Sequence, residues 1–442
     1  MSSLLAVLIA LCMPIIATHS QAEIVLGESV FVGQSSGDRT ISSYLGIPFA
    51  EPPTAERRWK VSQRIRYPHR VYPANAFAPA CYQGDHISTW YRDIVSGFGG
   101  DPSTIISPAV SEDCLYLNLW KPAIVEEPLP VIIFVHGGSN AGGWAWEPNY
   151  YGENLARKGA IVITVAYRLG AFGFLAHPGL TETNFGLSDI VTALEWVKRY
   201  IAGVGGDPAN VTVMGESSGA SNLSHLLAMP SARGLFQRMI HQSAGWALSQ
   251  SILLEDGQLL GQKLQKHLKA TSIDSMREFS AKDIESAASS IYRDAGFDPI
   301  VDANSLSSTP LYAALQPSTQ TVDLLIGSNA DEWKIYIEAD DSVDKWLDAN
   351  IDKNLHIDLK KALAGASPTR QLDSLRTAVN YVCPSLALAS VTNGQIKQSW
   401  VYYFSRQRKG KQAEEMGAYH GAELPYVFDT HDDWLPTGSA DR

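Results

Sequence analysis

The sequence predicts an α/β protein with a mostly parallel central sheet, and three observations carry that prediction. Short, continuous apolar segments recur along the chain, as in strands that are buried on both faces of a sheet. Amphipathic helical segments separate them, which gives the order of strand, crossover helix and strand that builds a parallel sheet. Of the 442 residues, 45% are hydrophobic, so the chain can form a large packed core.

The elements follow in chain order. Strands are expected at residues 131–135, 161–165, 211–214, 238–242, 322–326 and 401–404. One helix is expected from Gly186 to Ile201, where apolar residues recur every three or four positions on one face, and a second from about Ser218 to Leu227. Residues 250–320 and 335–395 are polar and helical, and we interpret them as insertions that cover the sheet.

The first two dozen residues are typical of a signal peptide. Residues 4–17 form an apolar run that is shorter than the ~20 helical residues of a membrane span. Small residues, including Ala17 and Ala22, then offer a cleavage site. The alternative is an N-terminal anchor or a buried strand. We expect residues 1–22 to be removed, leaving residues 23–442 as a single domain, secreted or periplasmic, without an integral membrane segment.

The composition excludes several classes of partner. The chain has 35 Lys plus Arg against 46 Asp plus Glu, a formal net charge of −11. An acidic chain without a dense basic cluster is not expected to bind nucleic acid, because phosphate contacts need clustered Lys and Arg. No Cys or His spacing matches a metal site, so neither a metal nor a cofactor is expected.

Three cysteines remain after the expected cleavage. In an oxidising compartment we expect Cys81 and Cys114 to form a disulfide. The alternative is that all three cysteines are reduced and buried. We expect Cys383, which stands alone between Val382 and Pro384, to be a small buried apolar residue.

The motif that first indicates a catalytic function is Gly215-Glu216-Ser217-Ser218-Gly219. This motif follows an apolar strand and opens a helix. In such a strand-turn-helix elbow the serine takes a strained conformation at the carboxyl edge of the sheet, and the glycines leave room for neighbouring backbone. The alternative is a turn in which Ser217 only caps the helix. The context predicts that Ser217 is a nucleophile.

A serine nucleophile needs a histidine base that a carboxylate orients. His420 lies in a loop after the strand at 401–404, where the last strand would deliver a base. Asp331 and Glu332 follow the strand at 322–326, and both remain candidates for the acid. The order serine, acid, histidine is that of an α/β-hydrolase.

An ordered set of motifs resembles the type-B carboxylesterase/lipase family, which contains carboxylesterases, cholinesterases and the non-catalytic neuroligins. The resemblance covers about residues 25–428. The motifs are YLGIPFAEPP at 44–53, SEDCLYLNLW at 111–120, HGG at 136–138, AYRLG at 166–170, GLSD at 186–189, GGDP at 205–208, GESSG at 215–219, GSNADE at 327–332 and HG at 420–421.

The resemblance implies an α/β-hydrolase fold, with helices on both faces of the sheet and helical insertions, and a triad of Ser217, Glu332 and His420. The position of the family's acid selects Glu332 over Asp331. The implied reaction is the hydrolysis of small-molecule carboxylic esters through an acyl-enzyme.

The resemblance also implies an oxyanion hole formed by backbone N–H groups of Gly138, Ser139 and Ser218. Ser139 stands where the family has a third glycine, so its N–H is expected to serve only if Ser139 adopts the required φ and ψ. Glu216 matches the family and has two interpretations: it tunes His420, or it is a structural carboxylate.

Two other functions are compatible with the resemblance. A non-catalytic adhesion protein would normally lack the nucleophile. An interfacial lipase would need an apolar lid, for which the segment between Cys81 and Cys114 has apolar residues. Thr104 stands where cholinesterases have the aromatic residue that receives the quaternary ammonium, so choline specificity is not expected.

The chain end departs from the family, whose members continue for several dozen residues beyond the catalytic histidine. Here the residues after 430 are polar, and Trp434 and Leu435 are the last large apolar side chains. We therefore expect that the C-terminal end is missing from this sequence and that one flank of the sheet is uncovered.

Overall fold

A computed structural model describes residues 21–248, 251–293, 295–317, 321–391, 394–430 and 435. The strands are β1 (Gln21–Leu26), β2 (Ser29–Ser35), β3 (Ile41–Pro48), β4 (Val71–Pro73), β5 (Ala80–Cys81), β6 (Val110–Ser111), β7 (Tyr116–Pro122), β8 (Leu129–Val135), β9 (Ile161–Val165), β10 (Gly206–Glu216), β11 (Arg238–Gln242), β12 (Ile252–Leu253), β13 (Ile300–Val301), β14 (Val322–Asn329) and β15 (Ile396–Phe404). The expected signal peptide lies in residues 1–22, of which 1–20 are outside the described residues.

The helices alternate with these strands. They are α1 (His86–Gly97), α2 (Glu153–Ala156), α3 (Gly170–Phe174), α4 (Phe185–Tyr200), α5 (Ser218–His225), α6 (Leu254–Leu268), α7 (Ile273–Arg277), α8 (Ala281–Ile291), α9 (Pro310–Leu315), α10 (Val343–Asn350), α11 (His356–Ala362), α12 (Pro368–Thr377), α13 (Cys383–Ala389), α14 (Lys411–Met416) and α15 (Leu424–Phe428). None of the described helices is long and apolar enough to cross a membrane.

One 11-stranded sheet organises the molecule, in the order β1-β2-β3-β7-β9-β8-β10-β11-β14-β15, with β4 paired to β2. From β9 to β15 every neighbouring pair is parallel. All five residues of β9 are buried, as a strand covered on both faces requires. The α/β fold class expected from the sequence is therefore confirmed, and each of the six expected strands is present.

The sheet differs from the sequence-based expectation at its N-terminal flank. Strands β1, β2, β3, β7 and β9 pair antiparallel with one another in that order, so the complete sheet is mixed. Strand β2 begins with alternating buried and half-buried residues. Such alternation is typical of antiparallel strands that face the core on one side only, and it is a weaker signal than a continuous apolar run.

The helices cover the sheet as the apolar periodicity predicts. Helix α4 buries the stripe that includes Leu187, Ile190, Leu194 and Val197, and these residues join the main hydrophobic cluster with the strands. The two expected insertions are helical and comprise α6–α9 and α10–α13. The first insertion also contributes β12 and β13, which pair in a separate two-stranded sheet.

A buried ion pair joins the segment after β9 to helix α4. The Arg168 guanidinium donates to both carboxylate oxygens of Asp189, from Nε at 2.8 Å and from Nη2 at 2.7 Å. Both side chains are almost fully buried. Removing one partner of such a pair would leave an uncompensated buried charge, which typically costs about 3–5 kcal/mol.

The cysteines divide into one pair and one free thiol. Cys81 and Cys114 form a disulfide across 33 residues of sequence, as expected. The expectation for Cys383 is wrong: its side chain is exposed at the first turn of α13. The helix turns that position outward, and the flanking Val382 and Pro384 gave no indication of which face it would occupy.

The far edge of the sheet is formed by β15, which exposes large apolar side chains. Trp400 is 52% exposed and Tyr403 is 57% exposed. Leu435 is buried in the hydrophobic cluster that contains Trp144, whereas Trp434 lies outside the described residues.

Candidate active site

The serine elbow has the geometry that its motif predicts. Ser217 lies between β10 and α5 with φ of 53° and ψ of −133°, a conformation that L-residues rarely adopt. A Cβ on Gly219 would approach the Val135 carbonyl oxygen to 2.1 Å, and a Cβ on Gly215 would approach the Ala220 nitrogen to 2.8 Å. Both positions therefore need glycine: Gly219 because the turn packs against the end of β8, and Gly215 because the first turn of α5 passes close to it.

The acid and the histidine meet at the same edge of the sheet. Glu332 follows β14, and its Oε2 accepts a hydrogen bond from His420 Nδ1 at 2.6 Å. The backbone N–H of Asn329 donates to the other carboxylate oxygen, Oε1, at 2.7 Å. Glu332 is fully buried, so both of its oxygens are held by protein groups.

Asp331, the other candidate acid, has a different set of partners. It accepts a hydrogen bond from the Ala418 N–H at 2.8 Å and forms an ion pair with Arg370. Its own N–H donates to the Ala418 carbonyl at 3.1 Å. Asp331 thus ties the loop that carries the acid to the loop that carries His420, while Glu332 contacts the imidazole itself.

Glu216 faces the second nitrogen of the same imidazole. Its Oε1 lies 3.2 Å from His420 Nε2. Ser217 and His420 line one cavity, but no hydrogen bond joins them among the described residues. In this arrangement His420 is held between two carboxyl groups, Glu332 on Nδ1 and Glu216 on Nε2.

The loop after β8 and the first residue of α5 present the three expected oxyanion donors to the cavity. Gly138 has φ of 103° and Ser139 has φ of 56°, so Ser139 adopts the left-handed region that glycine would occupy at low cost. Gly138, Ser139 and Ser218 all line the cavity. Within the described residues, their N–H groups donate to no protein acceptor, which leaves them available to a ligand.

Two side chains that the sequence analysis did not identify hold this loop. The Asn140 N–H donates to Ser218 Oγ at 3.1 Å, and its side-chain amide donates to the Phe297 carbonyl at 2.9 Å. Gln83 clamps Gly143: its Nε2 donates to the Gly143 carbonyl, and its Oε1 accepts from the Gly143 N–H, both at 2.7 Å. Gln83 lies two residues after Cys81, so the disulfide region and the loop are directly connected.

Burial and charge shift the titration of this site. Burial is the dominant cause that raises the pKa of Glu216 to about 8. Burial opposes a charge on His420, but the carboxylates of Glu216 and Glu332 outweigh it and raise the pKa of His420 to about 9. The pKa of the nearby Glu423 is also raised, chiefly by burial. The site therefore retains protons that the same side chains would release in water.

The cavity has a volume of about 660 Å³, and many of its lining side chains are aromatic, including Trp90, Trp246, Trp333, Tyr336 and Tyr381. Such a space accommodates a small organic molecule. The described part of the chain contains no cluster of three or more His, Cys, Asp or Glu residues that could hold a metal ion.

Parallel strands that bring a serine elbow, a carboxylate and a histidine loop to one edge of the sheet are the arrangement of α/β-hydrolases, and this chain has that fold. It belongs to the carboxylesterase family, whose family model matches residues 14–371. The chain is accordingly a carboxylic ester hydrolase.

The relatives are esterases. The chain is 33% identical over 413 residues to para-nitrobenzyl esterase from Bacillus subtilis (strain 168), covering 88% of this chain and 79% of that protein. It is 34% identical over 316 residues to fumonisin B1 esterase from Sphingopyxis macrogoltabida, covering 67% of this chain and 54% of that protein. A solved PNB esterase structure aligns with a TM-score of 0.79 and 28% identity, over 95% of this chain and 86% of that chain.

The Gln83 clamp leads to a testable prediction. In Gln83→Leu, the buried N–H and carbonyl of Gly143 lose their partners, and an unpaired buried polar group costs about 1–3 kcal/mol. We expect the free energy of unfolding, measured by urea denaturation, to fall by at least about 1 kcal/mol. Gln34→Leu is the control, because the Gln34 amide donates an exposed bond to the Asn75 carbonyl, which water can replace. Equal losses in the two variants would contradict the prediction.

Proposed function

We propose that the chain hydrolyses small-molecule carboxylic esters with Ser217 as nucleophile, His420 as general base and Glu332 as the carboxylate that orients His420. The observation that carries the proposal is the 2.6 Å hydrogen bond between His420 Nδ1 and Glu332 Oε2. It directs the Nε2 side of the imidazole into the cavity that Ser217 lines. A base held in one orientation by a buried carboxylate is what serine activation requires.

In the proposed reaction, Ser217 Oγ attacks the ester carbonyl carbon while its proton moves to His420 Nε2. The N–H groups of Gly138, Ser139 and Ser218 donate hydrogen bonds to the developing oxyanion, and each such donor typically contributes roughly 10²–10³ in rate. Collapse of the tetrahedral intermediate breaks the bond to the alcohol, which leaves with the proton from His420. Water then attacks the acyl-enzyme by the same route and releases the acid.

Glu216 has a proposed role in this cycle. At 3.2 Å from His420 Nε2, its carboxylate stabilises the imidazolium that forms when Ser217 gives up its proton. His420 must leave this contact to accept from Ser217 Oγ, so Glu216 and Ser217 compete for one nitrogen. This supports tuning of the base rather than a purely structural role.

The alternatives are less well supported. Helix α1 lies between Cys81 and Cys114, and it buries the apolar residues Tyr91, Ile94 and Val95 rather than presenting them to a lipid surface. Ile87 and Trp90 in the same helix, and Phe98 just after it, are half-buried and pack on the hydrophobic cluster that contains Trp144. The helix therefore does not offer the open apolar face that an interfacial lid would present. The intact set of Ser217, Glu332 and His420 argues against a non-catalytic adhesion protein.

The proposed nucleophile is tested by Ser217→Ala. The substitution removes one hydroxyl and should leave the fold intact, so we expect ester hydrolysis to fall by at least a thousandfold while the urea unfolding midpoint changes little. In the parent protein, a covalent phosphonate adduct should map to Ser217 by mass spectrometry. As a control, Ser251→Ala changes a serine that contacts His225 outside the cavity. Residual activity of Ser217→Ala within tenfold of the parent would refute the assignment.

The titration of His420 predicts a distinctive pH profile. Only the neutral imidazole accepts a proton, so kcat/KM should rise with pH through a midpoint above the ordinary 6.5 of histidine, since the pKa of His420 is raised to about 9. Glu216→Gln removes the largest cause of that increase, and its midpoint should move to lower pH. The measurement is kcat/KM from pH 5 to 10 in a pH-stat. An identical midpoint in both proteins would contradict the predicted coupling.

We further propose that residues 1–22 are a signal peptide and that the remainder is a single exported domain, secreted or periplasmic. The disulfide between Cys81 and Cys114 supports an oxidising compartment. Exported protein should begin near residues 21–23 and contain one free thiol, that of Cys383. Intact-mass analysis without reductant tests both points, and a protein that retains Met1 or carries three free thiols would disprove them.

A further inference from the structure

The cavity that carries the proposed chemistry has an unbalanced charge. Its acidic lining residues are Glu147, Glu216 and Asp298. Among the described residues that line it, none is a lysine or an arginine, and the only nitrogen bases are His86 and His420. Once His420, whose pKa is raised to about 9, has lost its proton to become the active base, a bound ligand therefore meets several carboxyl groups and no cation.

Glu147 is the buried member of this set. It is only 3% exposed, and its oxygens accept hydrogen bonds from the Tyr91 hydroxyl at 2.6 Å and the Trp144 N–H at 2.8 Å. These partners are neutral, and burial raises the pKa of Glu147 to about 7. The same surroundings that disfavour charge on Glu147 would disfavour a carboxylate on a ligand, because burying a charge without a partner is costly.

Asp298 extends the acidic character to a different element. It precedes β13 and follows Phe297, whose carbonyl accepts from the Asn140 amide at 2.9 Å. The segment is thereby tied to the loop that carries the proposed oxyanion donors. Asp298 keeps an exposed surface, although partial burial raises the pKa of its carboxyl. It forms no ion pair within the described residues, so its charge, where ionised, acts on whatever enters the cavity.

We infer that this site selects esters whose acid and alcohol parts are both uncharged or cationic, and rejects esters that carry a carboxylate on either part. The inference rests on the proposed function and adds the class of substrate. The aromatic lining supplies apolar contact for uncharged groups. An anionic substrate is repelled by the lining carboxyl groups and loses part of its hydration in the cavity. Both effects act on binding and in the transition state.

The test compares pairs of substrates that differ only in charge. On the acyl side, the pair is the 4-nitrophenyl ester of adipic acid monoamide and the 4-nitrophenyl monoester of adipic acid. On the alcohol side, the pair is 4-acetoxybenzamide and 4-acetoxybenzoate. After correction for the hydroxide rate of each ester, we expect kcat/KM to be at least tenfold lower for the anion in both pairs. A ratio below tenfold in either pair overturns the inference.

Variants locate the source of the discrimination. At about pH 9, where Glu147 is ionised despite its pKa of about 7, Asp298→Asn and Glu147→Gln each remove one negative charge with little change of shape, and each should lower the neutral-to-anionic ratio at least threefold. Asp256→Asn removes a charge from an exposed position on α6 outside the cavity, and its ratio should equal that of the parent. If Asp298→Asn and Glu147→Gln both keep the parent ratio, the inference is wrong.

Ionic strength distinguishes repulsion by the cavity lining from repulsion by the net charge of −11 of the whole chain. Long-range repulsion by the whole surface is screened within about 3 Å in 1 M salt. The ratio should persist in 1 M NaCl if the lining carboxyl groups cause it, and a ratio that falls to one there would overturn the inference. The proposed function is tested separately. If the parent hydrolyses the uncharged esters and Ser217→Ala does not, the proposed function holds even when the charge preference fails, so the two failures are distinguishable.

Discussion

The close approach between the serine elbow and the end of β8 is the constraint on which the site depends. With a Cβ on Gly219 only 2.1 Å from the Val135 carbonyl oxygen, α5 can begin at that point only if glycine stands there. The same contact brings Ser218 to Asn140, where their hydrogen bond joins the elbow to the loop after β8. One steric requirement thus positions the proposed nucleophile and the proposed oxyanion donors relative to each other.

The central strands and the residues at their carboxyl ends could be predicted from the sequence, because continuous apolar runs and the elbow motif are local signals. The antiparallel flank was missed because its alternation is weaker. Gln83 and Asn140 were missed for another reason: their partners lie 60 and 78 positions away in the chain, and no local pattern marks such contacts. Cys383 was wrongly expected to be buried, since a lone cysteine carries no information about its helix face.

The electrostatic character of the site likewise arises only in the fold. Glu216, Glu332 and Glu423 come from the elbow, the end of β14 and the start of α15, yet each acts on the charge of His420. Elsewhere the fold balances buried acids with arginine, as in the pair of Arg168 and Asp189. Around the imidazole, by contrast, these glutamates have only a histidine and amide donors as partners among the described residues. Their protonation therefore responds to whatever binds in the cavity.

The protons retained at the site also affect the stability of the whole molecule. Folding raises the pKa of Glu216 from 4.5 to about 8 and that of His420 from 6.5 to about 9. Between about pH 6.5 and 9 these two groups therefore bind more protons in the native state than in the unfolded chain, and the stability that they contribute declines as pH rises. Below pH 6.5, buried His136 and His241, each with a pKa lowered by burial to about 4, act in the opposite direction. Alkaline conditions that deprotonate the proposed base, His420, thus also weaken the fold that holds it, so the pH that favours catalysis is not the pH that gives the greatest resistance to unfolding.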